Sequence, residues 1–315
     1  MLKVILKRVI AVIPVLIGIA VISFFLIRLV PGDIVNVMMG EDFGDPELEA
    51  SLRRLFGLDQ PIHIQFFDWF GALLRGDLGE SLRTGRPVTT EIFERFPTTL
   101  ELAMAALVVS LAISIPVGIL SATRRNSPID MGARVVSLLG LSLPNFWLGI
   151  LLIMTFSVYL HVLPSGGYAP FELSWDHVKF LVLPAVTLGT SLAAVTMRMT
   201  RSSLLEVLGQ DYVRTARAKG LAEGVVIRRH ALRNSLIPVV TVLGIQAGGL
   251  LGGTVIVEQV FSWPGLGSLM IRAIEQRDYP MVQGLTMVLA FFFVFVSLVV
   301  DLVYVYLDPR LRTRG

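Results

Sequence analysis

Four histidines, His63, His161, His177 and His230, lie too far apart to form a local metal-ligand motif, and the chain has no cysteine. Thiolate chemistry, disulfides and cysteine metal sites are thereby excluded. No HExxH pair and no GxxxxGK[ST] loop occurs, and there is no Ser/His signature of a membrane hydrolase. Acids are equally scarce where the chain is apolar: Arg28 and Glu101 fall near the ends of apolar runs, where they reach water, and Asp301 stands before the end of the last run. Asp301 suits either a buried partner or a water-filled path. A proton- or sodium-coupled carrier would string such groups through its spans, and this chain does not. The chemistry that remains is electrostatic, and it gathers in one stretch, "QDYVRTARAKGLAEGVVIRRHALRNSLIP", which holds Asp211, Arg214, Arg217, Lys219, Arg228, Arg229 and Arg233 between two apolar runs.

That stretch has local structure written into it. Asp211 suits the cap of a short helix starting at Tyr212, Arg217 and Lys219 fall in its last turn where cations favour the dipole, and Gly220 supplies the stop. Such a helix has about two turns, well short of the roughly 12 residues at which an isolated helix becomes marginal. It needs a surface to dock on. A second helical stretch from Ala222 towards Leu236 places Val226, Ile227 and Ala231 on one side and Arg228, Arg229 and Arg233 on another, before Pro238 leads into the next apolar run. A solvated basic loop, or one pressed on anionic headgroups, would account for the charge. It would not account for a helix with a start and a stop.

The elements that must carry this stretch are membrane spans. The chain is 54% hydrophobic and 16% charged, its mean hydropathy is +0.73, and its net charge of +3 with a pI near 9.4 reads as basic loops rather than nucleic-acid binding. Six runs are apolar over about 20 residues, the length that crosses a bilayer: 9–29, 100–122, 135–160, 180–197, 236–257 and 281–307. The first run exceeds the roughly 7 to 15 residues of a signal h-region, and no small-x-small site follows, so it reads as a retained span. Alternating spans put Lys3, Lys7, Arg8, Arg124, Arg125, Arg134, the basic stretch and Arg310, Arg312 and Arg314 on one side. By the positive-inside rule that side is cytoplasmic, both termini lie there, and the protein is a multi-pass membrane protein.

Residues 31–97 form a long outer loop that reads as folded. Asp45 suits an N-cap and Pro46 the first helical position, Leu48, Leu52, Leu55 and Phe56 form a stripe, and Gly57 can end the helix. A second helix from Pro61 carries Phe66, Phe67, Trp69 and Phe70, suited to the membrane interface or to packing on the spans. Pro14, Pro116, Pro144 and Pro184 lie within spans and Pro238 at the entry of the fifth, as kinks or hinges. Gly244, Gly248 and Gly252 recur every four residues in the fifth run, with Gly249 and Gly253 as a second row, a pattern that lets helices approach closely. Gln246, Thr241, Thr254, Ser142 and Asn145 suit either a polar path or interhelical hydrogen bonds.

"DYVRTARAKGL" followed by "HALRNSLIPV" resembles the cytoplasmic EAA loop of ABC importer permeases, in the form used by the dipeptide, oligopeptide, glutathione and nickel importers. Gly220 stands at the motif's glycine and Ala216 at its second alanine, while Arg214 and Thr215 stand where Glu and Ala would be. The likeness extends over nearly the whole chain through "RLVPGD", "LRRLFGLDQPIHIQFFDWF", "GDLGESL", "PVTTEIFERFPTTLEL", "LSLPNFWLGILL", "LPSGGY", "LPAVTLG" and "VIVEQVFSWPGLGSLMIRAIEQRDYPMVQG". The resemblance implies an all-α integral membrane protein of the type I importer fold, with a first helix and folded extracytoplasmic loop (1–97) outside a five-helix core (98–308). It implies a second permease subunit, two cytoplasmic ATPase subunits that bind ATP and Mg, and an extracytoplasmic binding protein, with lipid around the spans and no cofactor in this chain. The basic stretch, 209–235, becomes the coupling loop, with Asp211, Tyr212, Arg214, Ala216, Arg217 and Gly220 as the ATPase contact. Trp263, Pro264, Gly265 and Gly267 of "EQVFSWPGLG" fall on the outer side, for a gate or for the binding protein. The implied cargo is di- or oligopeptide, with nickel, glutathione or oligosaccharides as alternatives on the same machinery and a secondary carrier as a remote one.

Overall fold

A computed structural model describes residues 2–29, 46–55, 59–170 and 174–307, and these residues are helical apart from turns and a single bridge between Glu80 and Pro87. Helix α1 (Leu2–Leu29) is followed by α2 (Pro46–Leu55) and α3 (Ile62–Leu74). Helix α2 starts at the expected proline; Asp45, Gly57 and the side chains of the Leu48, Leu52, Leu55 and Phe56 stripe lie outside the described residues. Helix α3 follows Pro61, and its aromatics close on α1: Phe66 and Trp69 sit 5.2 and 5.5 Å from the Phe24 ring, centroid to centroid. Arg28 lies 3.5 Å over the same ring and donates to Gln65 Oε1 at 2.9 Å, so packing on the first span is what these rings do.

Helix α4 (Val88–Thr123) starts twelve residues before the apolar run at 100 that marks it in the sequence. Its 36 residues extend about 54 Å, beyond the roughly 30 Å of a bilayer core. The early turns are polar overall yet carry Val88, Ile92 and Phe96 at helical spacing, and these pack on Leu266, Leu269, Met281 and Leu285. The 97/98 boundary drawn from composition therefore falls inside one continuous helix.

The run expected to cross singly over 135–160 is broken. Helix α5 (Pro128–Ser142) and helix α6 (Asn145–Leu152), the latter continued by a π-helix over Ile153–Tyr159, meet at 106°. Pro144 is the cause: it lacks an N–H for the helical ladder and drives Leu143 to φ −85°, ψ 125°. Helix α7 (Trp175–Leu208) starts where the Ser174 hydroxyl accepts the His177 N–H at 3.3 Å. It lies along α4 with almost no space between: a Cβ on Gly118 would be 2.8 Å from Thr200, and one on Gly189 would be 2.7 Å from Val109.

The chain then forms α8 (Asp211–Ala218), the one-turn α9 (Glu223–Val225), a π-helix over Val226–Ala231, and α10 (Leu232–Gly253), which contains Pro238 rather than starting after it. Helices α11 (Val255–Val260), α12 (Leu266–Glu275) and α13 (Tyr279–Leu307) complete the order. Among the described residues three helices, α4, α7 and α13, are long and apolar enough to span a membrane, and the bent pair α5/α6 together has the length and apolar character of a broken span or a re-entrant loop.

The glycine row of α10 divides. A Cβ on Gly244 would stand 2.2 Å from Val300 and one on Gly248 3.5 Å from Ser297, so both seat α13 closely. Gly252 meets nothing within 4 Å among the described residues, nor do Gly249 and Gly253. Gln246 makes an interhelical bond, accepting from Thr196 at 2.9 Å. Glu101 lies thirteen residues into α4, its side chain 14% exposed, and it is bonded to His177 of α7. Asp301 is in α13, with its side chain outside the described residues.

Candidate functional site

Helix α8 sits at the end of the molecule where α4 and α7 finish and α10 begins. Alone, its eight residues would not hold a helix. They hold because Val213 and Ala216 are buried against Val226, with Val207 and Leu208 of α7 closing the cluster. The Tyr212 hydroxyl accepts from Asn234 Nδ2 at 2.9 Å, which ties α8 to α10. Arg217 donates twice to Glu223, at 3.1 and 2.7 Å, across the turn that follows. That hydrogen-bonded guanidinium holds the Glu223 carboxyl below its usual range, and the carboxylate in turn raises Arg217. Gly220 has φ +79° with no neighbour within 4 Å of an added Cβ, so glycine is there for backbone conformation alone.

The expected contact set is therefore sorted by geometry. Asp211, Arg214, Thr215 and Ala218 share one exposed face by their three- and four-residue spacing, with Tyr212 and Arg217 exposed at its flanks. Ala216 points the other way and is 6% exposed, so it seats the helix instead of facing outward. Asp211 is also not the cap: Gln210 occupies that position without a side-chain bond, and Asp211 is the first helical residue, 3.7 Å from Arg214. An acid in the first turn still favours the helix dipole.

At the opposite end, the segment with Trp263, Pro264, Gly265 and Gly267 is built around a residue that sequence reasoning passed over. Glu258 is completely buried. Its carboxylate accepts the Ser268 N–H at 2.9 Å, in the first turn of α12, and the Thr99 hydroxyl of α4 at 2.9 Å. Thr99 in turn accepts the Leu266 N–H at 2.7 Å. Glu258 thus supplies the side-chain acceptor that α12's N-terminus lacks, since Gly265 at the N-cap has no side chain to do so. A Cβ on Gly265 would stand 2.3 Å from the carboxylate and one on Gly267 3.0 Å. Trp263 is buried as well, donating its Nε1–H to the Thr98 carbonyl at 3.0 Å and meeting Tyr168 edge-on at 4.9 Å. Of the four residues expected to serve a gate or the binding protein, Trp263, Gly265 and Gly267 are buried and Pro264 is half-buried. The signal for Glu258 was an acid followed by two glycines at the start of an amphipathic helix.

This end of the molecule thus presents a short helix on a hydrophobic seat, its polar face outward, beside two paired long helices. The profile of the binding-protein-dependent transport system inner membrane component matches residues 114–313, and the profile of the N-terminal region of such membrane components matches residues 1–103. The chain belongs to this family. It is 44% identical over 333 residues to the di/tripeptide transport system permease protein DppB of Pseudomonas aeruginosa, covering 99% of each chain. It is 41% identical to the oligopeptide transport system permease protein AppB of Bacillus subtilis, covering 98% of each, and 42% identical to the glutathione transport system permease protein GsiC of Salmonella choleraesuis, covering 99% of each. Among solved structures it resembles an inward-facing conformation of the MetNI methionine ABC transporter, with a TM-score of 0.56 at 19% identity over 69% of this chain and 96% of that one. That likeness is one of fold, and it fits the type I importer architecture. Members of the family are inner-membrane components of transport systems, and this chain is a membrane transport subunit.

Proposed function

We infer that this chain is a permease subunit of an ATP-driven, binding-protein-dependent importer of di- and oligopeptides. It forms half of the pathway beside a second permease subunit, with α8 as the coupling helix that sits in a groove of one of the two ATPase subunits, which hold ATP and Mg. Six spans with both termini cytoplasmic fit the placement of Lys and Arg, and the α12 end then faces the extracytoplasmic binding protein. The observation that carries this reading is the near full-length identity to relatives whose names specify dipeptides, tripeptides and oligopeptides. Glutathione, the cargo in a further relative's name, is itself a tripeptide, which keeps the substrate class a peptide backbone with free termini. ATP binding closes the ATPase dimer, α8 and its partner approach each other, and the pathway opens outward; hydrolysis resets it.

The test is uptake by the complete complex in proteoliposomes, with ATP on the ATPase side and labelled dipeptide delivered by the binding protein on the other. Accumulation should require ATP and be competed by unlabelled di- and tripeptides but not by nickel or oligosaccharide. Uptake that follows a proton or sodium gradient without ATP would overturn the assignment.

A further inference from the structure

At the α8 end a second polar knot is buried between helices, and neither the fold nor the docking face requires it to have a charge. Asp130, fully buried, receives Arg201 Nε at 2.7 Å on one oxygen and Arg201 Nη2 at 3.0 Å on the other. The Ser121 hydroxyl donates at 2.5 Å, the Asn126 N–H at 2.9 Å, and Arg134 Nη2 lies 3.3 Å away. These groups come from the last turn of α4, the turn after it, the first two turns of α5, and α7. A two-pronged guanidinium–carboxylate contact fixes rotation as well as separation, which a single hydrogen bond does not.

The position of Arg201 gives this rigidity a direction. Beyond Arg201, α7 runs two more turns to Val207 and Leu208, the residues on which Val213 of α8 and Val226 are packed. A displacement of α8 therefore reaches Arg201 through one continuous helix. Through Asp130 it reaches the ends of α4 and α5, and α4 extends to the far end, where Thr99 holds Glu258. Interdigitated apolar packing already resists sliding here, with Gly118 against Thr200, and the two-pronged ion pair adds a directional contact one residue further on.

Resting on the importer reading above, we propose that the Asp130–Arg201 pair is the positioning contact that converts movement of α8 into joint movement of α4, α5 and α7. The measurement is the number of peptides imported per ATP hydrolysed by the reconstituted complex, for wild type, Asp130→Asn and Arg201→Lys. Asp130→Asn keeps shape and one acceptor but loses the ionic pair, and Arg201→Lys keeps charge but loses the two-pronged geometry. Both should leave assembled complexes that hydrolyse ATP while peptide imported per ATP falls about tenfold for Asp130→Asn and severalfold for Arg201→Lys. A ratio equal to wild type in either assembled variant overturns the proposal. So does a parallel fall of uptake and hydrolysis that tracks the amount of complex, which is what a purely structural pair would give. A wild-type complex that imports no peptide refutes the functional reading and this role together, whereas a wild type that imports with unchanged variants refutes this role alone.

Discussion

Val213→Asp should reduce ATP-driven uptake by the assembled importer to below a tenth of wild type while the chain still inserts in the membrane. Val213 is fully buried between α8, Val226 and the last residues of α7. A carboxylate there has no cationic partner, and leaving a charge buried and unpaired costs about 3–5 kcal/mol. An eight-residue helix has no comparable stability of its own to oppose that, so α8 leaves its seat. The spans are untouched, which separates this variant from a folding defect. Arg214→Glu tests the other side of the same helix: its side chain is 73% exposed, so the seat survives and only the surface offered to a partner changes sign. Loss of ATPase stimulation with normal chain abundance in both variants is the expected pattern. Normal uptake by Val213→Asp would mean that α8 transmits nothing.

The second large effect is at the opposite end. Glu258→Ala should destabilise the packing of α12 on α4 by about 2 kcal/mol or more, because it leaves two buried donors unsatisfied at roughly 1–3 kcal/mol each. It orphans the Ser268 N–H and the Thr99 hydroxyl in a buried site, and α12 loses the acceptor at its N-terminus. Glu258→Gln keeps an acceptor oxygen and should lose about half as much. Gly265→Ala should resemble Glu258→Ala, because its methyl would stand 2.3 Å from the Glu258 carboxyl group and must displace it. Thermal unfolding of the purified subunit in detergent, followed by tryptophan fluorescence, reads all three. Equal stability of Glu258→Ala and wild type would show that the carboxylate is not the anchor of this end.

The parts legible in the sequence were those governed by short-range signals. Hydropathy found α13, starting two residues before the expected 281, and the cationic last turn with Gly220 marked α8 to within a residue of its end. The parts that were not legible depend on partners distant in the chain. Polar turns at the start of α4 hid a helix whose apolar stripe is satisfied only by α12 and α13. Pro144 read as a kink and is a break of 106°, because nothing local says whether the chain past a proline continues or turns. Ala216 matched a motif position yet points inward, since a motif gives residue types and the hydrophobic seat sets the face. Asp130 carries no local pattern, and Glu258 only the two glycines that follow it; their donors come from residues up to 159 positions away.

The absence of cysteine makes the central claim directly measurable, because one introduced thiol is the only one in the chain. Thr215→Cys, on the exposed face of α8, should form a cross-link to an ATPase subunit through a short thiol–amine reagent, and the yield should change when ATP closes the dimer. Ala216→Cys, one residue on but facing the seat, should give little product under the same conditions. Equal reaction at both positions, or a Thr215→Cys thiol as open to a soluble maleimide with the ATPases present as without them, would contradict the assignment of α8 as the coupling helix.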